Sequence, residues 1–387
     1  MIVDSLSLTD RRSLYPALAH KTYFNYGGQG VLSHQVLAKI LENFTHIESI
    51  GSFSATANQW IIAETNLLKA AIASEFNVSP ETIALTENTT HGCNIALWSY
   101  KWQQGDRLLI SDCEHPSILA IAKSLQTRFG IAVDYFPVFA NADPEVAITT
   151  IQQHLQPQTR MVMFSHVCWN TGQVLPLAEI VQVCHDRNVL VAIDAAQSVG
   201  VLPLDLAELG VDFYAFTGHK WWNGALGVGG LYVNPQILEI SEPTFAGWRS
   251  LVYNAPDIQW RPDAQKFEVA TSTYPLYGAL REAIAQANTY GTQTERYARI
   301  CELSQYLWQA LQEIPTVTCI KKEPPSCGLV SFAIANKSHT QFSQLLETNH
   351  KILVRSIPTP DCLRVSLHYL STTDDIDALI TILKTCI

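Results

Sequence analysis

The stretch that decides the fold is residues 189–198, which read VLVAIDAAQS. The run before Asp194 is entirely apolar, as is typical of a strand that a parallel sheet buries on both faces. Residues 211–220 (VDFYAFTGHK) repeat this arrangement, with an aromatic-rich strand that ends in a threonine, a histidine and Lys220. Because ligands of parallel α/β sheets gather at the carboxyl ends of the strands, we expect Asp194 and Lys220 to lie close together.

Further strand patterns alternate with helical patterns along the first two thirds of the chain. Strands are predicted at residues 83–86, 107–110, 133–138 and 161–167. Helices are predicted at residues 60–76, 144–155 and 177–187. This alternation predicts an α/β fold with a mainly parallel sheet. It also predicts that Thr90, His115 and Gln197, which follow strands, converge on Asp194 and Lys220.

A polar turn, residues 87–94 (ENTTHGCN), joins a predicted strand to a predicted helix. Free backbone amides at a helix start, with the hydroxyls of Thr89 and Thr90, suit a phosphate group. An ordinary helix cap needs only one of those hydroxyls, so the turn alone leaves both interpretations open. Residues 21–30 (KTYFNYGGQG) leave a similar choice, because their glycines allow either a ligand or another strand to approach the backbone.

Taken together, these residues fit pyridoxal phosphate. This cofactor needs a lysine that captures its aldehyde, an acid opposite the ring nitrogen, donors for the phenolic oxygen, a phosphate-binding turn and a ring that stacks on the pyridine. A lysine at the end of a buried strand can be desolvated enough to form the Schiff base. Each residue alone has a plainer explanation, such as a solvated lysine, a capping aspartate or a loop histidine. Their joint occurrence at strand ends favours the cofactor.

The amino-acid composition restricts the classes of molecule that the chain is expected to bind. The 387-residue chain carries 25 basic and 35 acidic residues, a net charge of −10, so it offers no basic stripe for nucleic acid or anionic lipid. No apolar run reaches the roughly 18 residues of a membrane span, and the first residues lack the pattern of a secretory signal. The 9 cysteines show no CxxC spacing. We therefore expect reduced thiols, no metal site and a cytoplasmic enzyme that binds a small molecule.

The motifs resemble those of the class V aminotransferase family of fold-type I pyridoxal-phosphate enzymes, which includes cysteine desulfurases, cysteine/cystine C-S lyases and isopenicillin epimerase-like proteins. Residues 194–198 match its Asp-Ala-Ala-Gln-Ser motif, residues 217–220 its Ser/Thr-x-His-Lys motif, and residues 114–115 its Glu-His pair. The resemblance implies a large domain at residues 21–260, with a mainly parallel seven-stranded sheet between helices. Residues 1–20 and 261–387 are expected to form a small α+β domain.

The resemblance also implies roles for single residues. The catalytic residues would be Lys220, which carries the cofactor, Asp194, which protonates the ring nitrogen, and His115, which stacks on the ring. Gln197 would donate to the phenolic oxygen. The phosphate would be bound by Thr89, Thr90, Thr217 and His219, together with Thr271 from the partner subunit of a homodimer that shares its active sites.

The substrate side is expected to contain two arginines. Arg364 matches the family's Arg-x-Ser anchor for the α-carboxylate, and Arg355 would hold a distal carboxylate, since a guanidinium binds carboxylates in bidentate fashion. Surface ion pairs remain the alternative for both. Asn25 and Gly28, in the glycine-rich stretch, complete the predicted substrate-binding residues.

Departures from the family pattern bear on the reaction. Desulfurases of this family need a nucleophilic cysteine on a long loop between the two arginines. Here only residues 356–363 separate the arginines, and Cys362 stands beside the anchor. Trp169 also replaces an asparagine that desulfurases keep near the cofactor. The resemblance therefore favours a C-S lyase over a desulfurase.

The expected reaction is β-elimination on L-cystine or L-cysteine, which gives pyruvate, ammonia and cysteine persulfide or sulfide. Such a product could supply sulfur for iron–sulfur clusters through a sulfur-acceptor protein that the sequence does not identify. Desulfuration, amino-acid epimerisation and a binding protein without turnover remain alternatives.

Overall fold

The computed structural model describes residues 6–139, 144–253 and 257–386. Residues 1–5 and 387 of the predicted small domain lie outside the described residues, as do residues 140–143 and 254–256 of the predicted large domain.

The strands, in chain order, are β1 (Thr22–Tyr23), β2 (Ile83–Thr86), β3 (Arg107–Ser111), β4 (Ala132–Phe136), β5 (Thr159–Ser165), β6 (Leu190–Asp194), β7 (Phe213–Thr217), β8 (Gly229–Val233), β9 (Val317–Cys319), β10 (Leu329–Ile334), β11 (Ile352–Leu353), β12 (Arg355–Pro358) and β13 (Asp361–Ser366). The α-helices are α1 (Leu8–Ser13), α2 (His34–Ser49), α3 (Ala55–Phe76), α4 (Thr89–Trp98), α5 (Pro116–Phe129), α6 (Pro144–His154), α7 (Leu177–His185), α8 (Leu206–Leu209), α9 (Pro235–Leu238), α10 (Tyr277–Tyr290), α11 (Gln293–Gln312), α12 (His339–His350) and α13 (Thr373–Cys386).

A seven-stranded sheet forms the centre of the larger part of the molecule. Its strand order is β2-β8-β7-β6-β5-β3-β4, and β8 is antiparallel to both of its neighbours while the others run parallel. Helices cover both faces, so alternate residues of one strand enter different cores. In β5, Val162 and Phe164 belong to one apolar cluster, and Met161 and Met163 belong to another. The predicted α/β fold with a mainly parallel sheet is confirmed.

Strand β8 was not predicted from the sequence, because its two glycines interrupt the apolar pattern. The structure explains one of them. A Cβ placed on Gly230 would lie 2.4 Å from the ring of Phe216 on the neighbouring strand. The glycine therefore makes room for an aromatic side chain that fills the core.

A four-stranded antiparallel sheet, β12-β13-β10-β9, organises the C-terminal part. It packs with α11, α12 and α13 around a separate apolar cluster that includes Leu307, Phe332 and Leu379. Strands β12 and β13 form a hairpin in which Arg355 and Arg364 are direct partners. The short β1 pairs with β11 and so ties the N-terminal segment to this part of the chain.

One long helix predicted from the sequence is divided in the structure. Apolar spacing predicts one helix over residues 279–311, but the chain breaks at Gly291, and Thr292 caps a new helix through a capping box with Glu295. The first of the two helices, α10, places Leu280 and Ile284 in the core of the large sheet. The division into domains at residues 20 and 260 stays a prediction.

None of the helices in the described parts of the chain is long and apolar enough to cross a membrane. The same residues contain no group of three or more side chains suited to hold a metal ion.

Candidate active site

A pocket of about 420 Å³ opens at the carboxyl ends of the parallel strands. It brings together most of the predicted site residues, which belong to separate strand ends, helix starts and the small-sheet hairpin. Those that line it are Gly28, Thr89, Thr90, His115, Asp194, Gln197, Thr217, His219, Lys220, Arg355 and Arg364.

Asp194 is the last residue of β6 and is nearly buried. Burial raises the pKa of its carboxyl group, because a low-dielectric surrounding disfavours the charged form. The amide of Ala196 donates to Oδ1 at 2.9 Å, and Lys220 attracts the carboxylate from a distance. The carboxylate therefore has few partners of its own and is available to a cationic group in the pocket.

Lys220 follows β7, beyond the turn that begins at Gly218. Burial lowers the pKa of its ammonium group to about 8, although Asp194 favours the charged form. The two pocket arginines add to the lowering by repulsion. An amine with this pKa is partly neutral near neutral pH, which a nucleophile or a base requires.

The start of α4 forms one end of the pocket. Asn88 caps the helix by accepting from the amide of His91 at 3.0 Å, so the Thr89 hydroxyl is not needed as the cap. That hydroxyl is buried and has no hydrogen-bond partner. Since a buried unsatisfied hydroxyl is costly, the arrangement suits an anion at the helix start.

Thr217 and His219 also line the pocket. The Thr217 hydroxyl lies 2.6 Å from Nδ1 of His219. Burial lowers the pKa of His219 to about 4, with a smaller contribution from Lys220, so the ring is neutral at neutral pH. A neutral histidine can donate one hydrogen bond without adding charge.

His115 caps the start of α5 and lines the pocket. Its Nδ1 accepts a hydrogen bond from the amide of Ser117 at 3.2 Å, and its ring meets Trp169 edge to face, with centroids 5.6 Å apart. Burial lowers the pKa of this histidine. These contacts restrain the ring, which lines the pocket. The stacking role of His115 stays a prediction.

Arg364 is almost fully buried on β13. Its Nη1 donates to the carbonyl oxygen of Trp169 at 2.5 Å, but its Nε and Nη2 have no partner. Burial lowers the pKa of its guanidinium to about 9, and the neighbouring Arg355 adds to this, yet the group stays protonated at neutral pH. A buried cation with two free donors is poised to bind an anion, and a carboxylate fits that geometry.

Two predicted residues lie outside the lining of this pocket. Asn25 sits beneath Gly28, whose added Cβ would lie 2.6 Å from the Asn25 side chain, and Oδ1 of Asn25 is buried without a partner. Thr271 is exposed and lines a second cavity, of about 690 Å³, with Phe53, Trp248 and Tyr274.

Sequence reasoning missed two residues that support the pocket. Glu114, recognised only as part of a motif, accepts hydrogen bonds from the hydroxyl of Ser111 at 2.5 Å and from the amide and hydroxyl of Ser165 at 2.8 and 2.9 Å. Burial raises its pKa to about 7. Trp221 donates to Gln197, and no sequence pattern distinguished it from an ordinary core tryptophan.

All nine cysteines are free, and none lines the pocket within the described ranges. Cys362, the thiol between the two arginines, is fully buried in β13. Burial raises the pKa of this thiol to about 12. It is therefore a neutral thiol fixed in a strand.

Comparison with known proteins gives a consistent set of matches. The family model for class-V aminotransferases matches residues 22–379. Two solved structures of the cystine C-S lyase C-DES superpose on almost the whole chain. One, a lysine-to-alanine mutant with glycine covalently linked to its pyridoxal phosphate cofactor, is 44% identical with a TM-score of 0.93 and covers 96% of this chain and 98% of that one. The other, a complex with the reaction product cysteine persulfide, is 45% identical with a TM-score of 0.92 and covers 95% of this chain and 98% of that one.

Curated relatives include proteins of two other descriptions. A probable cysteine desulfurase of Methanothermobacter thermautotrophicus is 28% identical over 80% of each chain. An isopenicillin N epimerase of Streptomyces clavuligerus is 27% identical over 80% of this chain and 81% of its own length.

Proposed function

Because the chain belongs to the class-V aminotransferase family, we propose that it is a pyridoxal-phosphate-dependent carbon–sulfur lyase that cleaves L-cystine by β-elimination. One observation carries the proposal. A chain that is 45% identical, over nearly its full length, to a cystine C-S lyase has a pocket with two neighbouring arginines and no cysteine in its described lining.

The pocket residues fit the cofactor. The unpartnered Thr89 hydroxyl and the first amides of α4 would hold the phosphate with Thr217 and His219. Asp194 would hold a proton on the ring nitrogen, His115 would lie against the ring, and Gln197 would donate to the phenolic oxygen. When bound, pyridoxal phosphate supplies an electron-withdrawing ring that stabilises negative charge at the substrate Cα.

Lys220 performs the proton transfers in this proposal. Its pKa, lowered to about 8, leaves part of the amine neutral near neutral pH, and a neutral amine is what capture of the cofactor and acceptance of the Cα proton would require. Asp194 favours the protonated amine that results, because its negative charge raises the pKa of Lys220 against the effect of burial. The residue can thus take a proton and give it back without leaving the pocket.

The two arginines orient the substrate. Arg364 offers its free Nε and Nη2 to the α-carboxylate of the reacting half of cystine. Arg355, its partner across the hairpin, is more exposed and would hold the carboxylate of the other half. Cysteine lacks that second carboxylate, so this pair favours cystine.

The reaction needs no enzyme thiol. The Cβ–S bond breaks, its electron pair leaves with sulfur, and protonation of that sulfur gives cysteine persulfide. The remaining three-carbon fragment is hydrolysed to pyruvate and ammonia. A desulfurase would instead pass sulfur to a cysteine of its own.

The test is Cys362→Ala with cystine as substrate. We expect pyruvate and persulfide to form at a rate within about twofold of the wild-type rate, because the side chain is buried in the strand. Cys184→Ala, at another buried free thiol, is the matched control for loss of packing. Loss of turnover in Cys362→Ala alone, with Cys184→Ala active, would refute the lyase proposal and favour desulfuration.

Product analysis separates the alternatives on the same scaffold. Alanine would indicate desulfuration, which the relatives described as cysteine desulfurases make the second candidate. A D-amino acid would indicate epimerisation, and a coloured protein whose spectrum ignores every amino acid would indicate binding without turnover.

We further propose a homodimer that shares its active sites. Supporting this, the cavity lined by the exposed Thr271 is bordered by apolar side chains that water would otherwise cover: Phe53, Ile62, Trp248 and Tyr253. A second copy that covers this surface would bring Thr271 toward the other subunit's phosphate site. Sedimentation should give twice the chain mass, and an active monomer would exclude the shared site.

The proposal also includes a cellular location and a protein that accepts the sulfur. The free state of all nine cysteines supports the cytoplasm as the location. A sulfur-acceptor protein would take the outer sulfur from cysteine persulfide, for example toward iron–sulfur clusters.

A further inference from the structure

Trp221, the residue after Lys220, joins three parts of the molecule. It is almost completely buried, and its indole Nε1 donates to Oε1 of Gln197 at 3.0 Å. Its backbone carbonyl accepts from Nε2 of His368 at 3.0 Å, beyond the end of β13. The tryptophan therefore connects the lysine segment, the pocket and the small sheet.

The contacts with Trp221 and Gly27 together determine how the Gln197 amide is oriented. An indole N–H can only donate and a backbone carbonyl can only accept, so Oε1 must face Trp221 while Nε2 donates to the carbonyl of Gly27 at 2.9 Å. One hydrogen of Nε2 is used in this way, which leaves the other for a group in the pocket that Gln197 lines. Rotation of the amide by 180° would turn an acceptor toward Gly27 and lose both hydrogen bonds.

His368, which follows the small sheet, fixes the position of the Trp221 backbone. The His368 ring stacks on Tyr26, with centroids 4.4 Å apart and planes within 12°. Nδ1 of His368 accepts from the amide of Leu370 at 3.3 Å, so the proton lies on Nε2, which points to the Trp221 carbonyl. Burial lowers the pKa of His368 to about 3, which keeps this neutral tautomer across the working range.

We propose that Trp221 is a positioning residue that holds the Gln197 amide with its N–H toward the phenolic oxygen of the bound cofactor. The inference rests on the proposed function, because the acceptor is the cofactor oxygen. It assigns control over the charge of that oxygen to the indole N–H of Trp221, a residue that is not among the described residues lining the pocket. A hydrogen bond from Gln197 stabilises the oxygen anion, and a misoriented amide would present its own oxygen instead.

The experiment is a spectroscopic pH titration of the cofactor-loaded protein without substrate. Trp221→Phe keeps an aromatic ring and removes the donor. We expect the pH midpoint of the visible absorption band to rise by about one unit, because the anionic oxygen loses stabilisation. The charged and titratable groups that line the pocket are unchanged by the substitution: Lys220, Asp194, His115, His219, Arg355 and Arg364.

Trp222 provides the matched control. It is equally buried, but its indole N–H has no partner, so Trp222→Phe removes a similar volume and no hydrogen bond. Its midpoint should equal that of the wild type. An unchanged midpoint in Trp221→Phe, or the same rise in both variants, would overturn the proposal.

A double variant shows whether the effect passes through Gln197. In a Gln197→Leu background the substitution at Trp221 should move the midpoint no further, and a further full shift would overturn the proposal. If Trp221→Phe fails to fold, β-(3-benzothienyl)alanine at residue 221 keeps the shape and replaces only the N–H by sulfur. Failure of the wild type itself to form a visible band with pyridoxal phosphate would refute the proposed function, and this inference with it.

Discussion

Two buried carboxylates, Glu268 and Asp194, have opposite surroundings. Glu268 accepts from the amide of Leu85 at 3.1 Å, lies 2.7 Å from Nζ of Lys69, and accepts from Nη2 of Arg249 at 2.6 Å. Burial alone would raise its pKa, but the two cations outweigh burial and lower it. Asp194 accepts from a single amide, and burial raises its pKa.

This difference distinguishes a carboxylate that stabilises the fold, Glu268, from one that is available to a ligand, Asp194. The Glu268 carboxylate is already paired with protein groups, so it is not available to bind a ligand. Asp194 lies in a pocket with a lysine and two arginines that form no ion pair with it among the described residues. Unsatisfied charge of this kind costs stability, and such groups cluster where a ligand completes them.

The largest effect is expected for Asp194→Asn. The amide cannot keep the ring nitrogen protonated, so kcat should fall about 10³-fold, equivalent to about 4 kcal/mol in the activation free energy. Steady-state kinetics with cystine would measure it. The apoprotein should unfold at the same temperature or higher, because an underpartnered buried charge is removed. A loss below tenfold would contradict the assignment.

A smaller effect, on stability rather than turnover, is expected for Glu268→Gln. The substitution leaves Lys69 and Arg249 buried without a counter-charge, and the free energy of unfolding should fall by about 3 kcal/mol. Denaturant titration would measure the change. The matched control is Glu302→Gln in the exposed Arg299–Glu302 pair, where about 0.5 kcal/mol or less is expected. Equal effects at both sites would contradict the comparison.

The smallest effect is expected for a substitution of Arg364, the buried arginine of the pocket. Arg364→Lys keeps the charge but loses the planar fork, so KM for cystine should rise about thirtyfold, or about 2 kcal/mol, with a smaller change in kcat. Arg299→Lys, at the surface, should leave KM unchanged. An unaltered KM in Arg364→Lys would mean that the free Nε and Nη2 do not hold the substrate carboxylate.

The sequence predicts those residues of the site that come at the ends of apolar strands. Asp194 and Lys220 follow buried runs, and the geometry of a parallel sheet brings such ends together regardless of side-chain detail. The hydroxyls and arginines could be assigned only through motifs, since each also fits a surface or capping role. The pocket places them together.

The rest depends on contacts between residues distant in sequence. Glu268 lies shortly before the predicted Thr271, and nothing in the sequence around it reveals that Lys69 and Arg249 contact it. Trp221 was one apolar residue among many, and its role follows only from Gln197 lying within hydrogen-bond distance. The pairing of Arg355 with Arg364 across the hairpin of β12 and β13 depends on the register of the two strands, which the sequence did not predict.

That hairpin has an evolutionary consequence. The two strands pair Arg355 with Arg364 and Pro358 with Asp361, and the tip between them reaches the surface at Thr359. Hairpin tips tolerate added residues at little entropic cost. A lineage could therefore acquire or lose a long cysteine-bearing loop at this tip while both substrate-binding arginines keep their places. Lyases and desulfurases of this family would then be separated by the length of one turn, and their divergence need not have passed through an ancestor unable to bind the substrate.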